Sequence, residues 1–126
     1  MKSPADERQV QIEAVIRFIH ANPDLTLSRA ELARRVSYSV PHFHRLFASS
    51  TGRQIADYVR SVRLQRAGIK LRHGAVNITE LALASGYATH AAFGKAFKRQ
   101  YGVSPAAFRR LGVNAASELL LQGKPR

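Results

Sequence analysis

Arg45 sits in the run Phe43-His44-Arg45-Leu46-Phe47, and fifty places later Lys95 sits in Phe93-Gly94-Lys95-Ala96-Phe97. If the phenylalanines of each run face a core, the cation between them is turned toward solvent and available to a ligand. A cation there suits the O6 and N7 acceptors that guanine presents in the major groove of a duplex. Arginine offers them a bidentate fork and lysine a point charge, so Arg45 is the stronger candidate for reading a base. Beside Arg45 the same face carries Val40, Pro41, His44 and Ala48; beside Lys95 it carries His90, Ala91, Gly94 and Lys98.

The charge of the whole chain agrees with a polyanionic partner. Its 126 residues hold 20 Lys and Arg against 8 Asp and Glu, a formal charge of +12. From Tyr58 to Ser117 the only acid is Glu80, facing ten Lys and Arg. Such a one-sided excess repels itself unless something neutralises it. Other chemistries are disfavoured. With no cysteine there is no disulfide scaffold, thiolate nucleophile or Cys-containing zinc site, and a reducing compartment is expected. His42 and His44 are two apart and project from different sides of a helix, so they do not form the i, i+4 metal pair. No paired carboxylates share a face, and GxSxG, P-loop and HExxH patterns are missing from the sequence, so neither catalysis, a cofactor nor a metal is expected. No apolar run approaches the ~18 residues of a membrane span, and MKSPADERQ lacks the apolar core of a secretory signal. The expected location is the cytoplasm.

The two cations belong to an internal repeat. Glu31, Leu32, Ala33 and Tyr38 recur 49 places later as Glu80, Leu81, Ala82 and Tyr87, whereas Phe43, Phe47 and Gly52 recur 50 places later as Phe93, Phe97 and Gly102. One residue is therefore inserted between the two groups, and Tyr58 finds a counterpart in Phe108. Each copy reads as helix, tight turn, helix. In the first, Ser28 and Glu31 have the spacing of a capping box before a helix that buries Leu32, Ala33 and Val36. After a turn at Ser37 and Tyr38, Ser39 caps a second helix with Phe43, Leu46 and Phe47 on one apolar face. Pro41 falls in its first turn, where a missing N–H costs little. In the second copy Asn77 and Glu80 open the first helix, Gly86 marks the turn, and Thr89 caps the helix of Phe93 and Phe97. Gly52 and Gly102 end the two second helices. By this periodicity Tyr38 and Tyr87 belong to the core with the phenylalanines.

Further helices flank the copies. Ile12, Val15, Ile16 and Ile19 predict one from about Asp6 to Asn22-Pro23. Ile55, Val59, Val62, Arg66 and Ile69 predict a long one from about Gln54 to Arg72, with Arg60, Arg63 and Lys70 on its wetter side. Gly68 weakens it by about 1 kcal/mol relative to alanine. Ser104-Pro105 opens a short helix, and Leu119, Leu120 and Leu121 in the tail suit another that docks on the core. No strand pattern is present. The expected architecture is all-α, about seven helices: a subdomain over 1–52, a linker helix over 53–72, and a second subdomain with the tail over 73–126.

Two helices joined by a tight turn form the helix-turn-helix arrangement, whose second helix lies in the major groove. The segments SYSVPHFHRLFASSTG, YVRSVRLQRA and ITELALASGYATHAAFGKAFKRQYGVSPAAFRR resemble the DNA-binding domain of the AraC/XylS family of bacterial transcription regulators over about Val10 to Leu111. The resemblance implies two helix-turn-helix subdomains on a long helix, binding successive major grooves on one face of double-stranded DNA. It also implies a regulator, usually an activator, that contacts RNA polymerase. Its base-reading positions fall on Val40, Pro41, His44 and Arg45 in the first copy and on His90, Ala91 and Lys95 in the second. The expected phosphate contacts are Ser39, Arg63, Thr89, Lys98 and Arg99.

Two departures from the family pattern shape the expectation. Pro41 stands where relatives commonly carry a larger or hydrogen-bonding side chain, and Ala91, Ala92 and Gly94 leave the second reading helix poor in polar groups. The first copy is thus expected to supply most of the discrimination, and the second to grip phosphate through Thr89, Lys95 and Lys98. With two reading helices in one chain, a monomer on an asymmetric site of roughly 20 bp is expected. Met1 and the polar leader favour a short stand-alone regulator over the excised part of a longer one. A non-specific architectural or other nucleic-acid-binding protein is the alternative that charge alone would permit.

Overall fold

The computed structural model describes residues 3–22, 28–74 and 76–123, and these are all-α. The described residues form eight helices: α1 (Pro4–Ala21), α2 (Arg29–Arg35), α3 (Val40–Thr51), α4 (Ile55–Arg72), α5 (Ile78–Ala84), α6 (His90–Tyr101), α7 (Pro105–Arg109) and α8 (Val113–Gln122). The chain divides into two compact units, one running to Arg60 and the other starting at Ser61, so the boundary falls inside α4. Pro23, where the sequence suggests that the first helix stops, lies outside the described residues.

In the first unit, α1 begins at Pro4, two residues before the start suggested by its apolar period. The cause is a reciprocal cap: Ser3 Oγ accepts from the Asp6 N–H at 3.2 Å, and Asp6 Oδ2 accepts from the Ser3 N–H at 3.2 Å. Ser28 Oγ likewise accepts from the Glu31 N–H at 3.1 Å, opening α2. Ile12, Val15 and Ile19 of α1 are buried with Leu32, Ala33 and Val36, while Ile16 is only half-buried. Phe43 and Phe47 of α3 are fully buried. Leu46, expected beside them, is half-buried, because at i+3 from Phe43 it lies toward the rim of the apolar face. Tyr58, from the start of α4, meets Phe47 edge-on at 5.4 Å and 88°. Its hydroxyl lies 3.1 Å from His20 Nε2, which satisfies a polar atom that burial would otherwise make costly. Arg35 places its guanidinium 3.6 Å above the Phe18 ring, a cation–π contact that covers the ring face.

The second unit repeats this construction. Phe93, Phe97 and Phe108 are fully buried, and Phe97 meets Phe108 edge-on at 5.2 Å and 84°, nearly the geometry of Phe47 and Tyr58. The equivalence reaches further than the sequence motifs. Ile12, Val15 and Ile19 of α1 have counterparts 52 places on in Leu64, Ala67 and Leu71 of α4, and all six are buried. The later part of α4 therefore serves the second core as α1 serves the first. This corrects the single apolar period expected for α4: Arg66 is exposed and Ile69 half-buried. The two parts of the helix bury residues in different cores, so one period cannot run through both.

The tail forms α8, with Ala116 and Leu120 buried and Leu121 72% exposed. It also accounts for Gly68. A Cβ on Gly68 would stand 2.6 Å from Leu120 Cδ2, with Phe108 and Phe97 at 3.6 and 3.7 Å. The helix gives up intrinsic propensity here so that α8 can approach. At the end of α8, Gln100 Nε2 donates toward the Gly123 carbonyl (3.3 Å), the Ser61 carbonyl (3.1 Å) and the Tyr101 hydroxyl (3.0 Å). Burial pushes the Tyr101 phenol up to about 12, against the opposing hydrogen bond from Gln100. Tyr58 is also raised by burial, with the Arg53 charge opposing.

Candidate nucleic-acid interface

The two candidate reading helices, α3 and α6, are each twelve residues long, and each ends at a left-handed glycine, Gly52 (φ 73) and Gly102 (φ 81). Each starts at a capping hydroxyl. Ser39 Oγ accepts from the His42 N–H at 3.3 Å and Thr89 Oγ1 from the Ala92 N–H at 3.0 Å. A hydroxyl used this way keeps its own proton, which it can donate to a phosphate oxygen beside the helix N-terminus. Neither helix contains an acid.

The turns before these helices show where the extra residue lies. Tyr38 N–H donates to the Ala33 carbonyl at 3.2 Å, and Tyr87 N–H to the Ala82 carbonyl at 3.0 Å, in the 49-residue register. The caps Ser39 and Thr89 are already in the 50-residue register. Ala88 is thus the inserted residue. Both turns pass through the left-handed region, at Ser37 (φ 59) and Gly86 (φ 91), so the first copy carries a side chain where the second has none. Tyr38 and Tyr87 are half-buried where full burial is expected from the periodicity, and Tyr87 packs against the core of the second unit. They close the turns by resting on the next helix, Tyr38 on His42 at 5.0 Å and Tyr87 on Phe93 at 5.8 Å.

On α3, Val40 (37% exposed), Pro41 and Arg45 are exposed, while His44 and Ala48 are half-buried. Arg29, at the start of α2, reaches His44 and places its Nη1 3.4 Å from the ring Nδ1. On α6, His90, Ala91, Lys95, Lys98 and Arg99 are exposed and Gly94 is half-buried. Pro41 and Arg45 of α3, and Ala91, Lys95, Lys98 and Arg99 of α6, lie on the side of the helix that the phenylalanines leave. Val40 and His90, three residues before Phe43 and Phe93, are exposed at the N-terminal end of the phenylalanine stripe. Arg63 differs from the other expected phosphate contacts. It is half-buried, and its guanidinium lies against the turn of the second copy, where a Cβ on Gly86 would stand 2.7 Å from Nη1. Arg72 and Arg109 also serve structure, donating to Ser117 Oγ and to the Val76 carbonyl, each at 3.0 Å.

Sequence reasoning did not single out Arg29. Fifteen residues and a turn separate it from His44, so no helical period links them. Among the described residues no group of three His, Cys, Asp or Glu could hold a metal ion, and no helix is long and apolar enough to cross a membrane.

Known proteins share this arrangement. A family model described as a helix-turn-helix domain matches residues 32–111. The transposon Tn10 TetD protein of Escherichia coli is 33% identical over 108 residues, covering 83% of this chain and 78% of that protein. The chain spans about a third of the length of most of the other curated relatives compared with it. Among solved structures, the DNA-binding domain of AdpA, a global transcriptional factor in complex with a target DNA, is 28% identical with a TM-score of 0.69, covering 78% of this chain and 88% of that one. A transcriptional regulator from Chromobacterium violaceum, described as AraC-type, is 25% identical with a TM-score of 0.75, covering 80% and 90%. The matched residues include both turns and both candidate reading helices, and the chain belongs to the AraC/XylS family of helix-turn-helix DNA-binding domains.

Proposed function

We propose that the chain is a sequence-specific regulator of transcription that inserts α3 and α6 into successive major grooves of double-stranded DNA. The observation that carries this reading is the duplication itself. Two helices of equal length, each hydroxyl-capped, free of acids and cationic on the exposed side, follow equivalent turns in one chain. A protein that only neutralises phosphate has no use for that repetition, whereas one that reads two groove segments requires it. Membership of a family that includes a DNA-bound neighbour supports the same conclusion.

In this reading Val40, Pro41, His44 and Arg45 meet base edges from the first copy, and His90, Ala91 and Lys95 from the second. Ser39, Thr89, Lys98 and Arg99 hold phosphates, with Arg63 assigned to the same group. The first copy discriminates more strongly, because Arg45 offers a bidentate guanidinium where Lys95 offers a point charge, and Ala91, Ala92 and Gly94 leave the rest of α6 poor in polar groups. Residues 53–72 serve as the connecting helix. The chain acts as a monomer on DNA, without catalysis, in the cytoplasm of a bacterium, and activates by contacting RNA polymerase.

Selection of bound duplexes from a random library tests the proposal. The expected result is one enriched site with two halves about one helical turn apart, roughly 10 bp. Binding that enriches no sequence over random DNA at fixed salt overturns it in favour of a non-specific nucleic-acid binder.

A further inference from the structure

We propose that Arg29 is a positioning residue for base reading: by holding the Nδ1 side of His44, it sets the ring of His44 to meet one base pair through Nε2–H. The inference rests on the DNA-reading function above and assigns a role to a residue outside the reading helices. Arg29 Nη1 lies 3.4 Å from His44 Nδ1. A guanidinium has donors and no acceptor, so this contact requires a lone pair on Nδ1. In the neutral ring the proton then sits on Nε2, and the ring is offered to DNA as a donor. Acceptors for such a donor are guanine O6 and N7, adenine N7 and thymine O4.

The duplication provides an internal comparison. In the registers already established, Arg29 corresponds to Ile78 and His44 to Gly94. The second copy lacks both members of the pair. Space does not explain the glycine, because a Cβ on Gly94 would meet nothing within 4 Å. Arginine and histidine are thus present together in the first copy and missing together from the second. A guanidinium placed on α2 only to attract phosphate would have no reason to accompany a histidine on α3.

The experiment uses the full chain, with the duplex enriched by selection and its single-base-pair variants as probes. His44→Ala should reduce discrimination at one base pair by about 5- to 150-fold, the span of one good base contact. Arg29→Ala should reduce discrimination at that same pair, and the double variant should lose no more than His44→Ala alone. In the free protein with the ring neutral, the His44 Nδ1 nitrogen resonance should carry the upfield shift of a hydrogen-bonded lone pair and lose it in Arg29→Ala. Uniform weakening of all duplexes by Arg29→Ala, with a shallower salt dependence and unchanged discrimination, would make Arg29 a phosphate contact and overturn the inference while leaving the regulator reading intact. An Nδ1 resonance that ignores the loss of Arg29 overturns it as well. If the unmodified chain prefers no duplex, the regulator reading fails, and this inference fails with it.

Discussion

Ser61 and Gln100 clasp each other through two hydrogen bonds, Ser61 Oγ donating to Gln100 Oε1 at 3.0 Å and Gln100 Nε2 to the Ser61 carbonyl at 3.1 Å. The first unit makes a matching contact with the side chains exchanged: Ser50 Oγ donates to Gln9 Oε1 at 3.1 Å. Gln9 precedes Ser61 by 52 places and Ser50 precedes Gln100 by 50, the registers of the surrounding helices. Their surroundings differ, since Ser61 is buried and Gln9 and Ser50 are exposed. Gln100→Ala should therefore destabilise the chain by about 1–3 kcal/mol, because it removes hydrogen bonds made to a buried part of the second unit. Ser50→Ala should stay within about 0.5 kcal/mol. Urea denaturation of both variants measures the difference, and equal effects would show that the buried network adds nothing.

Ser37 and Gly86 occupy the same place in the two turns, both at positive φ. A side chain in the left-handed region costs about 1–2 kcal/mol, offset in part by the greater freedom of glycine in the unfolded chain. Ser37→Gly should stabilise by about 0.5–1 kcal/mol. The opposite kind of change, Gly86→Ala, should cost at least as much, since it places a Cβ at φ 91. Midpoints of thermal unfolding moving in opposite directions would confirm the pair.

Gly68→Ala should fail to deliver the ~1 kcal/mol that alanine ordinarily gains over glycine within a helix, because its Cβ would press on Leu120 Cδ2. In a Leu120→Ala background the same substitution should recover that gain. A double-mutant cycle reads the coupling directly; additive effects would mean that α8 does not press on this part of α4.

Arg45→Ala should cost about 1–3 kcal/mol on the selected duplex and relax preference at one base pair. Lys98→Ala should weaken all duplexes alike and reduce the salt slope by about one. Titrations at several salt concentrations against matched and altered duplexes separate the two behaviours.

Tyr101 gives a dependence on alkaline pH. Its folded phenol titrates near about 12, against an ordinary 10.0, so the unfolded chain gives up the proton first. The stability linked to this proton is intact below pH 10 and declines as pH rises from there toward 12, by about 2–3 kcal/mol in all. Tyr58, raised in the same direction, adds to the decline. Tyr101→Phe should flatten the curve of urea midpoint against pH over that window, and an unchanged curve would assign the decline elsewhere.

The parts of this fold that are legible in the residues are local ones. Ser28, Ser39, Asn77, Thr89 and Ser104 each announce a helix start through a single side-chain bond to a backbone N–H three residues on, and the paired phenylalanines give the buried faces. The repeat motifs carried the family resemblance because they recur with their identities preserved. The correspondence of Ile12, Val15 and Ile19 with Leu64, Ala67 and Leu71 is not legible in the sequence because only apolar character is shared there. Gly68 has no explanation within α4, since the reason lies some fifty residues away in Leu120. At the candidate site, exposure of Arg45 and Lys95 follows from helical period, but the contacts of Arg29 with His44 and of Arg63 with Gly86 depend on how helices from different parts of the chain meet.

The exchange of serine and glutamine between the two clasps makes a swap of the reading helices unfavourable in the second unit, where the clasp is buried. A recombinant that replaced α6 with α3 would set Ser50 opposite Ser61, two short hydroxyls spanning a gap that had held a long amide; the opposite graft would crowd Gln9 against Gln100. Each reading helix is thus matched to the helix it clasps, and a swap between the copies carries its mismatch into the buried clasp of the second unit while the exposed clasp of the first hardly registers it.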